Sequence, residues 1–214
     1  DIKYIDVPQK YRKNTKLGSQ RLGENRFKLD AEFLWIIGIY LAEGSNSKRS
    51  INFSLHKNEI KFQDKIIKFF SNMGYNPKLW AREGNGVNVE INSTTLAQWF
   101  PNWLGHLCYN KKIPEELMNL PKEKLVSLLS GIYDGDGSKT SANFEIGQTS
   151  KILALQITEL LYRINKQPLL RTQKSNKKTE IGNDRKLCYI VSWGKGNFQK
   201  NNRKGRWKFD NELL

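Results

Sequence analysis

Two short stretches fix most of what this chain can become: GIYLAEGS at residues 38–45 and GIYDGDGS at residues 131–138 agree at five of eight positions. Each ends a helix-length segment on a carboxylate followed by glycine, Glu43 with Gly44 and Asp136 with Gly137. Self-similarity at a fixed spacing means two copies of one supersecondary unit, neither of which buries its apolar face alone. The likeness runs past the motifs. INFSLHKN (51–58) aligns with ANFEIGQT (142–149), setting Asn52 against Asn143 and Phe53 against Phe144 at an offset of 91, whereas the motifs are offset by 93. The second copy is therefore expected to have a hairpin two residues shorter.

Helical patterns come next. EIKFQDKIIKFFSNMGY and SKILALQITELLYRINK place Phe62, Ile66, Phe69 and Phe70, and in turn Leu153, Ile157, Leu160 and Leu161, at the three- and four-residue spacing of a buried face. Each stops short of a proline, Pro77 or Pro168. Beyond them, PKLWARE and GVNVEIN alternate as a hairpin turned at Gly84 to Gly86, with Leu79, Ala81, Val87, Val89 and Ile91 facing inward. PLLRTQK and KLCYIVSW are the counterparts, joined by a basic loop over residues 175–186. A helix at residues 94–104 closes the first half. The chain divides into a basic N-terminal extension (1–29), a first half (30–109), a linker (110–121), a second half (122–193) and a basic tail (194–214). The class is α+β.

The strands leave a polar face opposite the apolar one, and composition says what it meets. Lys and Arg number 36 against 21 Asp and Glu, a net charge of +15, which favours a polyanionic partner through counterion release. The first outward face carries Asn52, Ser54, Lys78, Trp80, Arg82, Asn88 and Glu90, mostly side chains that read base edges and phosphates. Basic runs at residues 174–178 and 200–208 suit backbone contact. Cys108 and Cys188 form no CxxC pair, which argues against a disulfide framework or a zinc site. The longest apolar run, residues 33–42, is too short for a bilayer. A soluble, intracellular protein is expected, in cytoplasm or an organelle matrix.

The acids need a reason. Gly38 and Ala42 share a helical face, as do Gly131 and Gly135, so two motif helices can pack with backbones unusually close and bring Glu43 beside Asp136. Two carboxylates at the negative ends of helix dipoles repel, and a cation must compensate. With only His56 and His106 for nitrogen ligands, Mg2+ is the natural choice. His56 itself reads as a surface or DNA-contact residue. Gly44 and Gly137 read as helix-terminating glycines in left-handed conformation.

IIGIYLAEG (36–44) and LSGIYDGDG (129–137) resemble the paired motifs of the LAGLIDADG homing endonucleases, and the likeness covers roughly residues 30–193. It implies a pseudo-symmetric monomer of two αββαββα halves whose sheets form a saddle over double-stranded DNA with a long asymmetric target. It also implies divalent metal on Glu43 and Asp136, assisted by the Ala42 and Gly135 carbonyls, and one cut per strand across the minor groove with short 3′ overhangs. Mg2+ is the expected ion, Mn2+ a substitute, and Ca2+ a support for binding without cleavage. Lys139, Gln148 and its repeat counterpart Lys57 are candidate catalytic auxiliaries; Asn46 stands where Lys139 does, so the two sites differ. Expected DNA contacts add Asn46, Lys48 and Arg49 to the first outward face, and in the second half Asn143, Glu145, Arg171, Gln173, Lys174, Lys177, Arg185 and Lys186. Leu41 departs from the motif where the second copy has Asp134. An intron maturase that binds RNA and a non-cleaving DNA-binding protein of this fold are the alternatives, and free-standing, intron-encoded and intein-derived origins all stay open.

Overall fold

The computed structural model describes residues 3–11, 26–141, 143–174 and 187–194. Ahead of the repeat, β1 (Tyr4–Asp6) pairs antiparallel with β2 (Arg26–Lys28). Val7, Phe27 and Leu29 are fully buried there, and the Phe27 ring stacks on Phe33 at 4.6 Å between centroids. Residues near the N-terminus thus help to build the first half's core.

Asp30 accepts a hydrogen bond from the Phe33 N–H (3.1 Å) and so caps α1 (Ala31–Glu43). Every residue from Phe33 to Leu41 is buried, the mark of a helix with apolar residues all round. Then come β3 (Gly44–Asn46), β4 (Ser50–His56), α2 (Ile60–Asn72), β5 (Pro77–Ala81), β6 (Gly86–Asn92) and α3 (Thr94–Leu104). Two short helices follow, α4 (Leu107–Asn110) and α5 (Glu115–Met118). The second copy is α6 (Lys122–Asp136), β7 (Gly137–Lys139), β8 (Asn143–Gln148), α7 (Lys151–Arg163), β9 (Pro168–Lys174) and β10 (Leu187–Gly194). The sheets run β3-β4-β6-β5 and β7-β8-β10-β9, antiparallel throughout, and α1 packs against α6 between them. The expected two-copy α+β architecture is present.

Two details differ from expectation. The two hairpins are equally long: Asn46 pairs with Ile51, and Lys139 with Phe144 across the same number of residues. The shorter stretch lies between β8 and α7, so in the fold Asn52 corresponds to Glu145 and Leu55 to Gln148. The local match of two Asn-Phe pairs draws an alignment that the turn geometry overrides. Lys57 is accordingly not the counterpart of Gln148. Second, Leu79 is 51% exposed and Ala81 is exposed, although Val89 and Ile91 are fully buried; β5 is the outer edge strand, and the helix layer does not cover it. The helix expected at residues 94–104 is α3, which lays Leu96, Trp99 and Phe100 into the first core. Among the described residues the second half has no matching helix, and a cleft of about 200 Å³ opens beside Leu129, Tyr133, Phe144 and Trp193.

Candidate active site

Glycine decides how near α1 and α6 come. A Cβ on Gly38 would run into the Leu128 carbonyl and stand 2.8 Å from the Gly131 Cα; one on Gly131 would run into the Trp35 carbonyl. Gly135 lies against Ala42, and a Cβ there would be 3.1 Å from Glu43 Cγ. The small-residue faces are the interface, and they set the two helix ends side by side with Glu43 and Asp136 in one field. Gly44 and Gly137 are extended (φ −77°, ψ 143° and φ −84°, ψ 149°), not left-handed as expected. They are glycine because a Cβ would strike the ring and carbonyl of Tyr40 or Tyr133 as the chain leaves the helix.

The cation that bears on both acids is Lys111, a residue the sequence did not single out. It is 6% exposed, and its Nζ donates to the carbonyls of Tyr40 (3.0 Å) and Ala42 (3.1 Å) at the end of α1. Burial draws its pKa down to about 8, against the upward pull of Asp136 and Glu43. Glu43 is raised to about 7, by burial first and then by the negative charges of Asp136 and Glu59, with Lys111 opposing. Burial also raises Asp136, opposed by the Gln148 hydrogen bond and by Lys111. Such shifts mark groups held ready for a cation or a proton.

The carboxylates are held differently. Gln148 is 4% exposed and donates from Nε2 to Asp136 Oδ2 at 2.6 Å. Leu55 occupies the corresponding place in the first sheet, and among the described residues no hydrogen bond reaches the Glu43 carboxylate. Lys139 lies on the helix side of its sheet with its ammonium 5.8 Å from the Phe144 ring centroid. Lys57 is exposed at the end of β4. Of the three proposed auxiliaries, Gln148 is the one that touches a carboxylate.

Asn52, Ser54, Lys78, Trp80, Asn88 and Glu90 share the open face of the first sheet by register. Trp80, 52% exposed, donates its indole N–H to Glu90 (2.8 Å), and Ser54 donates to Asn88 (3.0 Å). Arg82 is exposed beyond β5, and Lys48 and Arg49 are exposed in the β3–β4 turn. Asn46 points to the helix side, where its amide donates to the Ala97 carbonyl (3.4 Å). In the second sheet, Asn143, Glu145, Arg171 and Gln173 share the open face, with Arg171 3.3 Å from Glu145; Lys174 has the opposite parity. Lys177, Arg185, Lys186 and the run at residues 200–208 lie outside the described residues.

The profile of the LAGLIDADG-like domain matches residues 123–211. The second half of this chain carries a LAGLIDADG-like domain. Solved LAGLIDADG structures share the fold across both halves: the homing endonuclease I-DmoI in complex with DNA and Mn covers 78% of this chain and 90% of its own (TM-score 0.55, 13% identity). Full-length WhiA from Thermatoga maritima covers 85% and 53% (TM-score 0.51, 13% identity). By sequence, the chain is 35% identical over 147 residues to the DNA-directed RNA polymerase subunit Rpo1C of Methanocaldococcus jannaschii, covering 66% of this chain and 17% of that protein. It is 27% identical over 172 residues to transcription initiation factor IIB of the same organism, covering 79% and 25%. It therefore spans a quarter or less of the length of these curated relatives. No helix among the described residues is long and apolar enough to cross a membrane.

Proposed function

We propose that this chain is a site-specific double-stranded DNA endonuclease that hydrolyses one phosphodiester in each strand. One observation carries the proposal: two half-buried carboxylates at the ends of glycine-packed helices, set around one buried lysine. Burying like charges together is costly, and a binding protein of this fold, or a maturase using the saddle for RNA, needs neither acid. The donor chemistry suits a hard divalent cation. Glu43 and Asp136, with the Ala42 and Gly135 carbonyls, would hold it. No group of three or more His, Cys, Asp or Glu suited to a metal occurs among the described residues, so phosphate oxygens of a substrate and water would complete the shell, as Mg2+ prefers. When bound, the ion supplies Lewis-acid stabilisation and an acidified water.

The chain's own groups do the rest. Gln148 fixes one Asp136 oxygen and leaves the other free to bind. Lys111 anchors the last turn of α1 through two carbonyls and sets a positive charge where the phosphodiester's negative charge would grow. With a pKa near 8, its Nζ also holds a proton that can move near neutral pH. The relatives point the same way by their diversity. An RNA polymerase subunit, an initiation factor and the DNA helicase Hel308 of Thermococcus kodakarensis share this segment while their names describe different work. The segment is best explained as a module with an activity of its own.

The test is selection of cleavable sites from a randomised duplex library with Mg2+, followed by end mapping. Glu43→Gln and Asp136→Asn should abolish cleavage while Ca2+-supported binding persists. A wild-type protein that yields no cut DNA under any divalent ion would overturn the proposal.

A further inference from the structure

Beside Glu43 the surface opens into a trench. A cavity of about 330 Å³ at the carboxylate continues into a groove of about 720 Å³, and the two share Asn46 and His106. The outer groove runs between the β3–β4 turn and α3. Its polar lining includes Asn46, Lys48, Gln98, Asn102 and His106, and no carboxylate lines it; Glu43 is the one acid along the whole path. Gln98 and Asn102 are one helical turn apart, exposed, and both line the groove; the Asn102 amide spends one N–H on the Gln98 carbonyl (2.7 Å).

The inner wall is held in an unusual backbone. Gly105 (φ 92°) and Leu107 (φ 64°) flank His106, and the left-handed conformation is unfavourable for leucine. A Cβ on Gly105 would collide with the Asn110 carbonyl, so the bend is locked by its close approach to α4. Backbone strain of this kind collects at ligand sites, where the surrounding structure holds it in place. Here it presents His106 at the junction of the two cavities.

Amide and imidazole donors, one lysine and no acid form the lining expected for a phosphodiester backbone. We infer that the trench between the β3–β4 turn and α3 binds the sugar-phosphate strand leading to Glu43, as a helix-side contact separate from the sheet saddle. This rests on the proposed DNA endonuclease function. It also gives Asn46 a place: the residue faces away from the saddle and into the trench. The contact is to the strand that reaches Glu43.

The test combines Lys48→Ala, Gln98→Ala and Asn102→Ala in one chain, all at exposed positions. Binding of a duplex of arbitrary sequence is measured in Ca2+ across a salt series, with circular dichroism as the folding check. The expected result is about tenfold weaker binding and a salt slope shallower by about one. On a duplex selected by the wild-type protein, ethylation of phosphates next to the cut on one strand should interfere with wild-type binding and lose its effect in the variant. If the triple variant melts early, Lys48→Glu alone at the exposed turn should show the same loss. Unchanged affinity, slope and interference pattern, with the wild-type protein binding and cutting DNA, would sink the trench and leave the endonuclease proposal standing. A wild-type protein that binds no duplex would sink both.

Discussion

The Lys111 ammonium donates to the carbonyl of Ala42 at 3.1 Å, one residue before Glu43. The same group donates to Tyr40, so a single buried cation ties down the last turn of α1 and offsets both carboxylates. Lys111→Met keeps the apolar stem and removes the charge. Single-turnover cleavage should fall by roughly 10²–10³, the scale of losing one charge-stabilising donor from a catalytic site. Binding in Ca2+ should stay within a few-fold. A cleavage rate close to wild type would show that Lys111 only fills space.

The raised pKa of Glu43 fixes a pH dependence in the metal-free protein. Its carboxyl goes from 4.5 to about 7 on folding, so the folded state holds the proton more tightly than the unfolded chain. The stability this contributes is complete below about pH 4.5 and is lost as pH rises through about 7. Lys111 has the opposite slope: its pKa falls from 10.5 to about 8, so stability recovers as pH rises from about 8 towards 10.5. The urea midpoint of the metal-free protein should drop between pH 5 and pH 7.5, judged by these two shifts, and drop less in Glu43→Gln. Mg2+ should restore most of the loss at the upper end. An equal drop in the variant would remove Glu43 as the cause.

Gln148 and Leu55 hold equivalent places in the two sheets, yet only one of them grips an acid. Replacing Gln148 by Leu makes the Asp136 site resemble the Glu43 site. Loss of a partner that orients a metal-binding carboxylate typically costs about 10- to 100-fold, and here it should slow the cut in one strand only. Nicked duplex should accumulate on end-labelled substrate. Equal slowing of both strands would mean that the two sites are not independent.

The parts of the fold that sequence reveals are those written in periodicity and small residues. Gly38 and Gly131 announce the helix contact because nothing larger fits, and the strand alternation places Asn52, Ser54, Asn88 and Glu90 on one face before any coordinates are known. Lys111 leaves no such trace: it sits in a linker without repeat or motif and becomes a site residue only because the chain folds back beneath the end of α1. The pairing of Lys57 with Gln148 fails for a different reason. Residue identity tracks local similarity, whereas hairpin register follows turn length, and two Asn-Phe pairs happen to lie on different registers. Gly44 and Gly137 mislead because a helix-end glycine usually signals a left-handed cap, while here the constraint is the ring of the tyrosine four residues earlier.

Asp134 accepts a hydrogen bond from the Trp35 indole at 2.7 Å across the α1–α6 contact, and Lys65 stands 3.7 Å from the Trp35 ring centroid. Leu41 takes the equivalent place in the first motif, so this polar link exists on one side of the pseudo-dyad only. Trp35→Phe leaves a part-buried carboxylate without its donor, and Asp134→Leu leaves the indole N–H without its acceptor. Each should cost about 1–3 kcal/mol. The double variant removes both partners and should cost less than the sum, with a coupling of about 0.5–3 kcal/mol in urea denaturation. A sum that adds without coupling would mean that water replaces either partner freely and that the link does not help to tell α6 from a second copy of α1.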